Sequence, residues 1–316
     1  MVEAINLALR QEMERDPAVI VLGEDVGKDG GVFRVTDGLW EQWPERVIDT
    51  PLAEAGVIGA SIGLALGGLK PVCEAQFDGF SIPMLDQLFN HAARIRWRSR
   101  GRFSCPLVLR FPYGGGIRAL EHHSDSPEAF YAHAPGLKVV IPSGPYDAKG
   151  LLIAAIRDPD PVVFMEPKRV YRAIREEVPE DDYAIPLCKA NVVQEGSDIT
   201  VVSWGAMLRE CKEALALSKH SVELIDLQTV APMDEQTIVE SVKKTGRCVI
   251  VQEAPRSCSV SAEVAAVVQK EAFLSLEAPI KRVTGFDTVI PYPRMENLYI
   301  ADERRIAKEI EKVMRF

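Results

Sequence analysis

Val2, Ile5, Leu9 and Met13 recur at steps of three and four with Glu3, Arg10 and Glu12 between them, the pattern of a helix that buries one face. Charges inside that pattern set it apart from the apolar run of a leader peptide, so export is not expected. From residue 18 to residue 167, short β-rich runs alternate with helical patterns. Residues 18–22, 71–74, 107–111, 138–141 and 162–166 read as strands, and 54–68, 82–98, 127–133 and 145–157 as helices. Strands that mostly return after a helix-sized gap predict a parallel sheet. Between residues 176 and 196 the composition shifts to Pro179, Pro186 and the acids Glu176, Glu177, Glu180, Asp181 and Asp182, an exposed connection. The division falls there, into residues 1–185 and 186–316. Beyond it the alternation restarts, with strands at 199–203, 222–227, 248–252 and 280–283 and helices at 207–217, 235–244, 261–274 and 302–314. Asp234 is placed to cap the second of those helices. The expected fold is α/β, two parallel-sheet domains of which the second is smaller.

The longest apolar stretch, residues 57–69, is shorter than the ~20 residues of a membrane span and reads as a buried helix. Ala55, Gly59, Gly63 and Gly67 fall on every fourth position and form one smooth ridge, against which a helix of the same domain or a second subunit would pack. With 316 residues, 47% of them hydrophobic, the chain can bury two cores. Its 37 basic and 46 acidic residues give a net charge of −9, which disfavours nucleic acid and anionic membrane as partners. The six cysteines lack any CxxC pair and suit reduced thiols in a cytoplasm.

No GxxxxGK[ST] run is present, which disfavours a P-loop enzyme. The glycines at 114–116 follow a strand, but the next helix begins too late to receive a pyrophosphate from that turn. A flexible loop over a ligand or an interface is the simpler reading. Glu54 opens the small-residue helix. It either offsets the helix dipole, worth about 0.3–1 kcal/mol, or is a partly desolvated carboxyl poised to share a proton with a ligand nitrogen. Ser126 and Pro127 read as a helix start, but the adjacent His122 and His123 are not explained by capping; acid–base or oxyanion contact ranks above metal binding for them. The arginines at 94, 96, 98, 100 and 102 end a predicted helix with Trp97 among them, and could dock an acidic protein surface. Asp158 and Asp160, each followed by proline, form a turn whose oxygens could hold a hard cation.

In order along the chain, DTPLAEAG, QFDGF, HHSDSPEAFYAHAPGLKVVIPS, DAKGLL, ITVVSWG, IDLQTVAPMD and QEAPRS resemble the β chain of thiamine-diphosphate-dependent 2-oxo acid dehydrogenases. The resemblance covers essentially the whole chain. It implies a thiamine-diphosphate pyrimidine-binding domain followed by a transketolase C-terminal-like domain. It also implies that Glu54 hydrogen-bonds the aminopyrimidine ring, with Leu52, Gln76 and Phe80 lining the same pocket. His123, rather than His122, would serve acyl transfer to lipoamide. Potassium would lie near Leu107, Ala155, Ile156, Asp158 and Asp160, held largely through carbonyls.

The family's magnesium–diphosphate motif begins GDG, whereas residues 28–31 here read KDGG. In that family the motif belongs to a separate α subunit. The resemblance therefore implies a cofactor shared between subunits, magnesium held by the α subunit, and a heterotetramer of two α and two β chains. The lipoyl domain of a dihydrolipoyl acyltransferase would be the acyl acceptor. SPEAFYAH and EPKRVYRA…REEVP resemble branched-chain members, which makes 2-oxoisovalerate the expected substrate and pyruvate or acetoin the alternative. The rivals from other classes are a self-sufficient nicotinamide dehydrogenase and a non-catalytic assembly subunit.

Overall fold

The structure, a computed structural model, describes residues 1–291 and 294–316. Its strands are β1 (Val19–Gly23), β2 (Val47–Asp49), β3 (Lys70–Glu74), β4 (Val108–Tyr113), β5 (Lys138–Val140), β6 (Val162–Pro167), β7 (Asn191–Gln194), β8 (Ile199–Ser203), β9 (Val222–Asp226), β10 (Thr229–Ala231), β11 (Cys248–Val251) and β12 (Lys281–Val283). They form a seven-stranded sheet in the order β10-β5-β6-β4-β3-β1-β2 and a five-stranded sheet in the order β12-β11-β8-β9-β7. Every pairing is parallel except those of β10 with β5 and β7 with β9. Strands β4, β6, β8 and β9 are buried along their whole length, as expected where helices cover both faces of a sheet.

Three cores follow. On one face of the large sheet, Ile5, Leu9 and Met13 of the helix Val2–Arg15 meet Leu151, Leu152 and Ile156 of the helix Pro145–Arg157. The opposite face, with Ile58, Leu88 and Phe111, merges into one cluster with Val202, Ile225, Ile238 and Val264 of the second unit. The far face of the small sheet is covered by the helices Met207–Ala216 and Glu303–Met314. No helix among the described residues is long and apolar enough to cross a membrane.

Asp234 caps its helix as expected, its Oδ1 accepting from the Thr237 N–H at 3.3 Å. The single helix expected at 82–98 is instead four short turns: Ile82–Met84, Leu85–Asn90, Ala92–Arg94 and Ile95–Arg98. His91 breaks it, with φ −122° and ψ −74°. The Ala93 carbonyl beyond that break lies so close to Gly136 that a Cβ on Gly136 would come within 2.2 Å of it. The arginines that follow stay at the surface. Ser126 does not cap: the helix Glu128–Ala132 starts after Pro127 with no side-chain cap. The reason is that the preceding loop is tied elsewhere, Asp125 donating its N–H to Asp78 and accepting from Gly114. Strands β2, β7 and β10 escape sequence patterning because three or four residues at a sheet edge carry too little periodicity.

The helix Glu54–Leu66 buries Val57, Ile58, Ser61, Ile62 and Ala65 against the sheet. Its small-residue ridge faces away, with Ala55, Gly63 and Gly67 exposed. A Cβ on Gly63 would meet nothing within 4 Å. At Gly59 the ridge is half-buried, where a Cβ would lie 3.7 Å from Gln87 of the helix Leu85–Asn90, so a helix of the same domain covers part of it.

Candidate active site

In a parallel sheet the strands deliver their following loops to the same edge, where ligands ordinarily bind. Here β1 leads into Glu24 and Asp25, β3 into residues 75–80, and β6 into Lys168. The segment that carries Glu54 is moored to this edge by the Thr50 N–H, which donates to the Gly23 carbonyl at 2.9 Å. Glu54 is half-buried in the first turn of its helix, whose start has no side-chain cap, so its charge lies where the helix dipole favours it.

Glu24 lies beside it. Only 6% of Glu24 is exposed, and neither carboxylate oxygen has a partner among the described residues. Burial, then the charges of Glu54 and Asp25, raises its pKa above the ordinary carboxylate value. Gln76 donates from Nε2 to Asp25 Oδ2 at 2.7 Å, which ties the end of β3 to the end of β1. Leu52 is 79% exposed and covers nothing in this chain.

The aromatic part of the site is continuous with this edge. The His123 ring stacks on Phe77 with centroids 4.0 Å apart and planes 19° apart. Phe80 meets His123 edge-on at 5.2 Å, and His122 lies against His123 at 4.0 Å. His123 Nδ1 is 3.1 Å from the His122 carbonyl oxygen, which can only accept. Nδ1 therefore carries the proton in the neutral ring, and Nε2 keeps a free lone pair. Burial lowers the His123 pKa and favours that neutral form.

Two buried ion pairs brace the loops. Lys168 Nζ lies 2.5 Å from Asp78 Oδ1, both side chains fully buried, while Asp78 Oδ2 accepts the Asp125 N–H at 2.6 Å. Asp78 thus fixes the histidine-bearing loop to the end of β6. Burial, opposed by Lys168, holds its pKa up at about 6. Gly79 is required beneath that loop, because a Cβ there would come within 2.2 Å of the His122 carbonyl. Deeper, Arg110 grips Glu166 with both forks at 2.6 and 2.7 Å and also bonds Glu74.

The glycine loop holds no phosphate cradle. Gly115 donates to Glu253, and Gly116 and Arg118 donate to the two oxygens of Glu296 at 2.6 and 3.0 Å. The amides a pyrophosphate would need are taken by carboxylates of the second unit, so the loop is an interface latch.

Of the five positions expected to hold potassium, four fall at the end of the helix Pro145–Arg157 and the turn after it, and Leu107 immediately precedes β4. The Leu107 carbonyl accepts from Val162 at 2.9 Å and the Ala155 carbonyl from Asp158 at 3.3 Å, each keeping a second lone pair. Ile156 is buried. Asp158 and Asp160 face Lys138 Nζ at 2.7 and 3.9 Å, and Arg96 bonds Asp160 at 2.6 Å. The only acidic trio close enough to share a cation among the described residues is Glu210, Glu213 and Glu303, which includes none of these five.

Glu54, Gln76, Phe80 and His123 are therefore brought to one edge, with Leu52 at its rim. Sequence reasoning missed Glu24, Phe77, Asp78, Arg110 and Lys168 as parts of the site. A signal existed for Glu24 and Lys168, since each directly follows a strand of a parallel sheet. The pairing of Asp78 with Lys168, ninety residues apart, had none.

The family described as the transketolase pyrimidine-binding domain matches residues 1–173, and the transketolase C-terminal domain matches residues 188–306. The chain is 53% identical to a protein of Acholeplasma laidlawii named pyruvate dehydrogenase E1 component subunit beta, over 99% of this chain and 97% of that one. Proteins of the same name from Staphylococcus epidermidis and Staphylococcus aureus are 51% and 50% identical, over 100% of this chain and 98% of theirs. A solved structure described as a split-gene transketolase, inactive β4 tetramer, superposes with a TM-score of 0.81 over 99% of this chain and 97% of that chain; at 20% identity it speaks for the fold alone.

Proposed function

Because the chain belongs to the family of pyruvate dehydrogenase E1 β subunits, with a pyrimidine-binding domain ahead of a transketolase C-terminal domain, we propose that it forms the thiamine-diphosphate site of that two-chain enzyme together with an α chain and that its substrate is pyruvate. The reaction class is oxidation of a 2-oxo acid with lipoamide as acceptor. The expectation of 2-oxoisovalerate gives way to its alternative, since relatives at 50–53% identity bear the pyruvate name. There is a physical reason why the motifs that favoured branched-chain acids misled. Tyr131 of SPEAFYAH is buried against Ser81, and Glu166, Lys168 and Tyr171 of the EPKRVYRA segment are committed to buried polar pairs. Those residues hold the fold and report nothing about substrate length.

The observation that carries the proposal is Glu54 at an uncapped helix start beside the two unpartnered oxygens of buried Glu24. An aminopyrimidine has the ring nitrogen and apolar faces that such carboxyls and the neighbouring aromatic rings suit, so the residues present fit the cofactor. When bound, thiamine diphosphate supplies the electron sink that lets a 2-oxo acid lose carbon dioxide. Glu54 is proposed to hold and return a proton at the ring nitrogen, with Glu24 keeping that proton from water. Gln76, Phe80 and Leu52 complete the lining. His123, neutral and with Nε2 free, is proposed to accept and return a proton as the acyl group passes to the lipoyl domain of a dihydrolipoyl acyltransferase. Magnesium belongs with the α chain in this reading, potassium with the carbonyls near Leu107 and Ala155, and the assembly is two α and two β chains. The exposed ridge of Ala55, Gly63 and Gly67 supports a subunit contact.

Replacing Glu54 tests the proposal. Glu54→Gln in the reconstituted two-chain enzyme should lower pyruvate decarboxylation by about 10²–10⁴-fold while the assembly elutes unchanged on size exclusion. Undiminished turnover would return Glu54 to the role of a helix-start charge and favour a non-catalytic assembly subunit.

A further inference from the structure

Away from the large sheet's loops, β12 and the helix Glu303–Met314 border an open cavity of about 300 Å³, a size at the lower end of small-molecule sites. Arg256, Lys281, Arg282 and Arg305 line it, with Phe286 at one side. The guanidinium groups are pre-oriented. Arg282 donates from Nη2 to the Arg256 carbonyl, and Arg305 donates from Nη2 to the Thr284 carbonyl at 2.6 Å while lying 4.7 Å over the Phe286 ring. Each then has a second donor, Nε of Arg282 and Nη1 of Arg305, that is closed to solvent and has no partner among the described residues. A buried charged donor left unbonded costs more than the ~1–3 kcal/mol of a neutral one, so both call for an acceptor.

The acids in the cavity do not supply it. Asp287 accepts from the Ser257 N–H and Oγ at 2.8 and 2.9 Å, and Glu309 is held between Lys281 at 2.8 Å and Lys312 at 2.7 Å. Four cations therefore face two carboxylates, one bonded to Ser257 and the other to Lys281, which leaves a surplus of positive charge. Burial, and then the neighbouring charge of Arg256, lowers the pKa of Arg282, the mark of like charges held together.

We propose that this cavity is an anion site that takes the phosphoryl group of a small phosphorylated molecule, with Arg282 and Arg305 as its bidentate donors and Arg256 and Lys281 as its rim. A phosphate monoester carries about two negative charges and several acceptor oxygens, which match the surplus of cations and the paired free donors; a monocarboxylate would leave half of that charge unmet. Phe286 gives the remainder of the ligand an apolar wall. The site lies outside the cofactor edge and is independent of the substrate assigned there.

The test is calorimetric titration of the two-chain enzyme, saturated with thiamine diphosphate so that the cofactor site is filled, using inorganic phosphate and phenyl phosphate at constant ionic strength. Saturable binding with a Kd below about 10 mM is expected, tighter for phenyl phosphate if the ring meets Phe286. Arg282→Gln should weaken both ligands about tenfold or more. Arg256→Gln, on an exposed side chain that folding does not need, should do the same to a lesser degree. No saturable binding, or binding that both substitutions leave unchanged, overturns the site.

Discussion

The carboxyl ends of the two sheets handle buried polarity in opposite ways. At the large sheet the loops bury full charges: Asp78 against Lys168, Glu74 and Glu166 against Arg110, and Glu24 against nothing in this chain. At the small sheet the equivalent positions are mostly neutral and satisfied. Ser203 donates to the Val251 carbonyl, and Gln252 bonds Ala254, Pro255 and Ser261. Two acids lie there: Glu253, buried and bonded to the Gly115 N–H, and Asp226, which burial and then the charge of Asp147 push up to about 8, so that it is uncharged at neutral pH. Buried ions are costly to desolvate and add little net stability over an apolar or neutral filling. Their concentration at one sheet edge shows that the loops there are held in a fixed polar arrangement at a cost that the small sheet mostly avoids.

Breaking the paired charges should show the largest effect. Lys168→Met leaves Asp78 alone in a site closed to water and should lower the unfolding free energy by about 3–5 kcal/mol, read from urea midpoints at fixed chain concentration. Adding Asp78→Asn should recover most of that loss. A double variant as unstable as the single would show that the pair is not what holds the loop.

Asp226 offers the converse test. In the folded chain it keeps its proton up to about pH 8, whereas an unfolded aspartate releases it near ~3.9. Between those values the folded state binds more protons, so stability falls as pH rises across that window. Asp226→Asn should flatten the fall by up to about 1 kcal/mol per pH unit in urea midpoints taken from pH 5 to pH 8. An unchanged slope would mean that Asp226 is ionised after all, and the contrast between the sheets would weaken.

The smallest change is expected at Asp234, a carboxylate that the small sheet's side keeps for structure. It accepts from Thr237 through both oxygens, at 3.3 and 3.0 Å. Asp234→Ala should cost about 1 kcal/mol, the usual worth of a cap, with no effect on turnover of the assembled enzyme. A loss of activity larger than the loss of stability would count against a purely structural role.

Much of this was legible in the residues. The two mostly parallel sheets, most of their strands and the helices at 2–15, 54–66, 145–157 and 303–314 follow from apolar runs long enough to show a period, whereas the order of strands within each sheet does not. The motif residues Glu54, Gln76, Phe80 and His123 lie on one edge of the large sheet. The helix at 82–98 was misread because its apolar spacing continues through His91, where backbone geometry, not side-chain pattern, makes the break. Ser126 was misread because the loop before it answers to Asp78.

The amino-acid order by itself determined the class of fold, the family and the identity of the acid at the helix start, because these depend on local periodicity and short contiguous motifs. Tertiary structure alone decided which charges are paired, which tautomer His123 holds, that the glycine loop latches two units, and that two arginines on different elements share one cavity. Such facts depend on distance and desolvation between residues far apart in the chain, and neither quantity is written in the sequence between them.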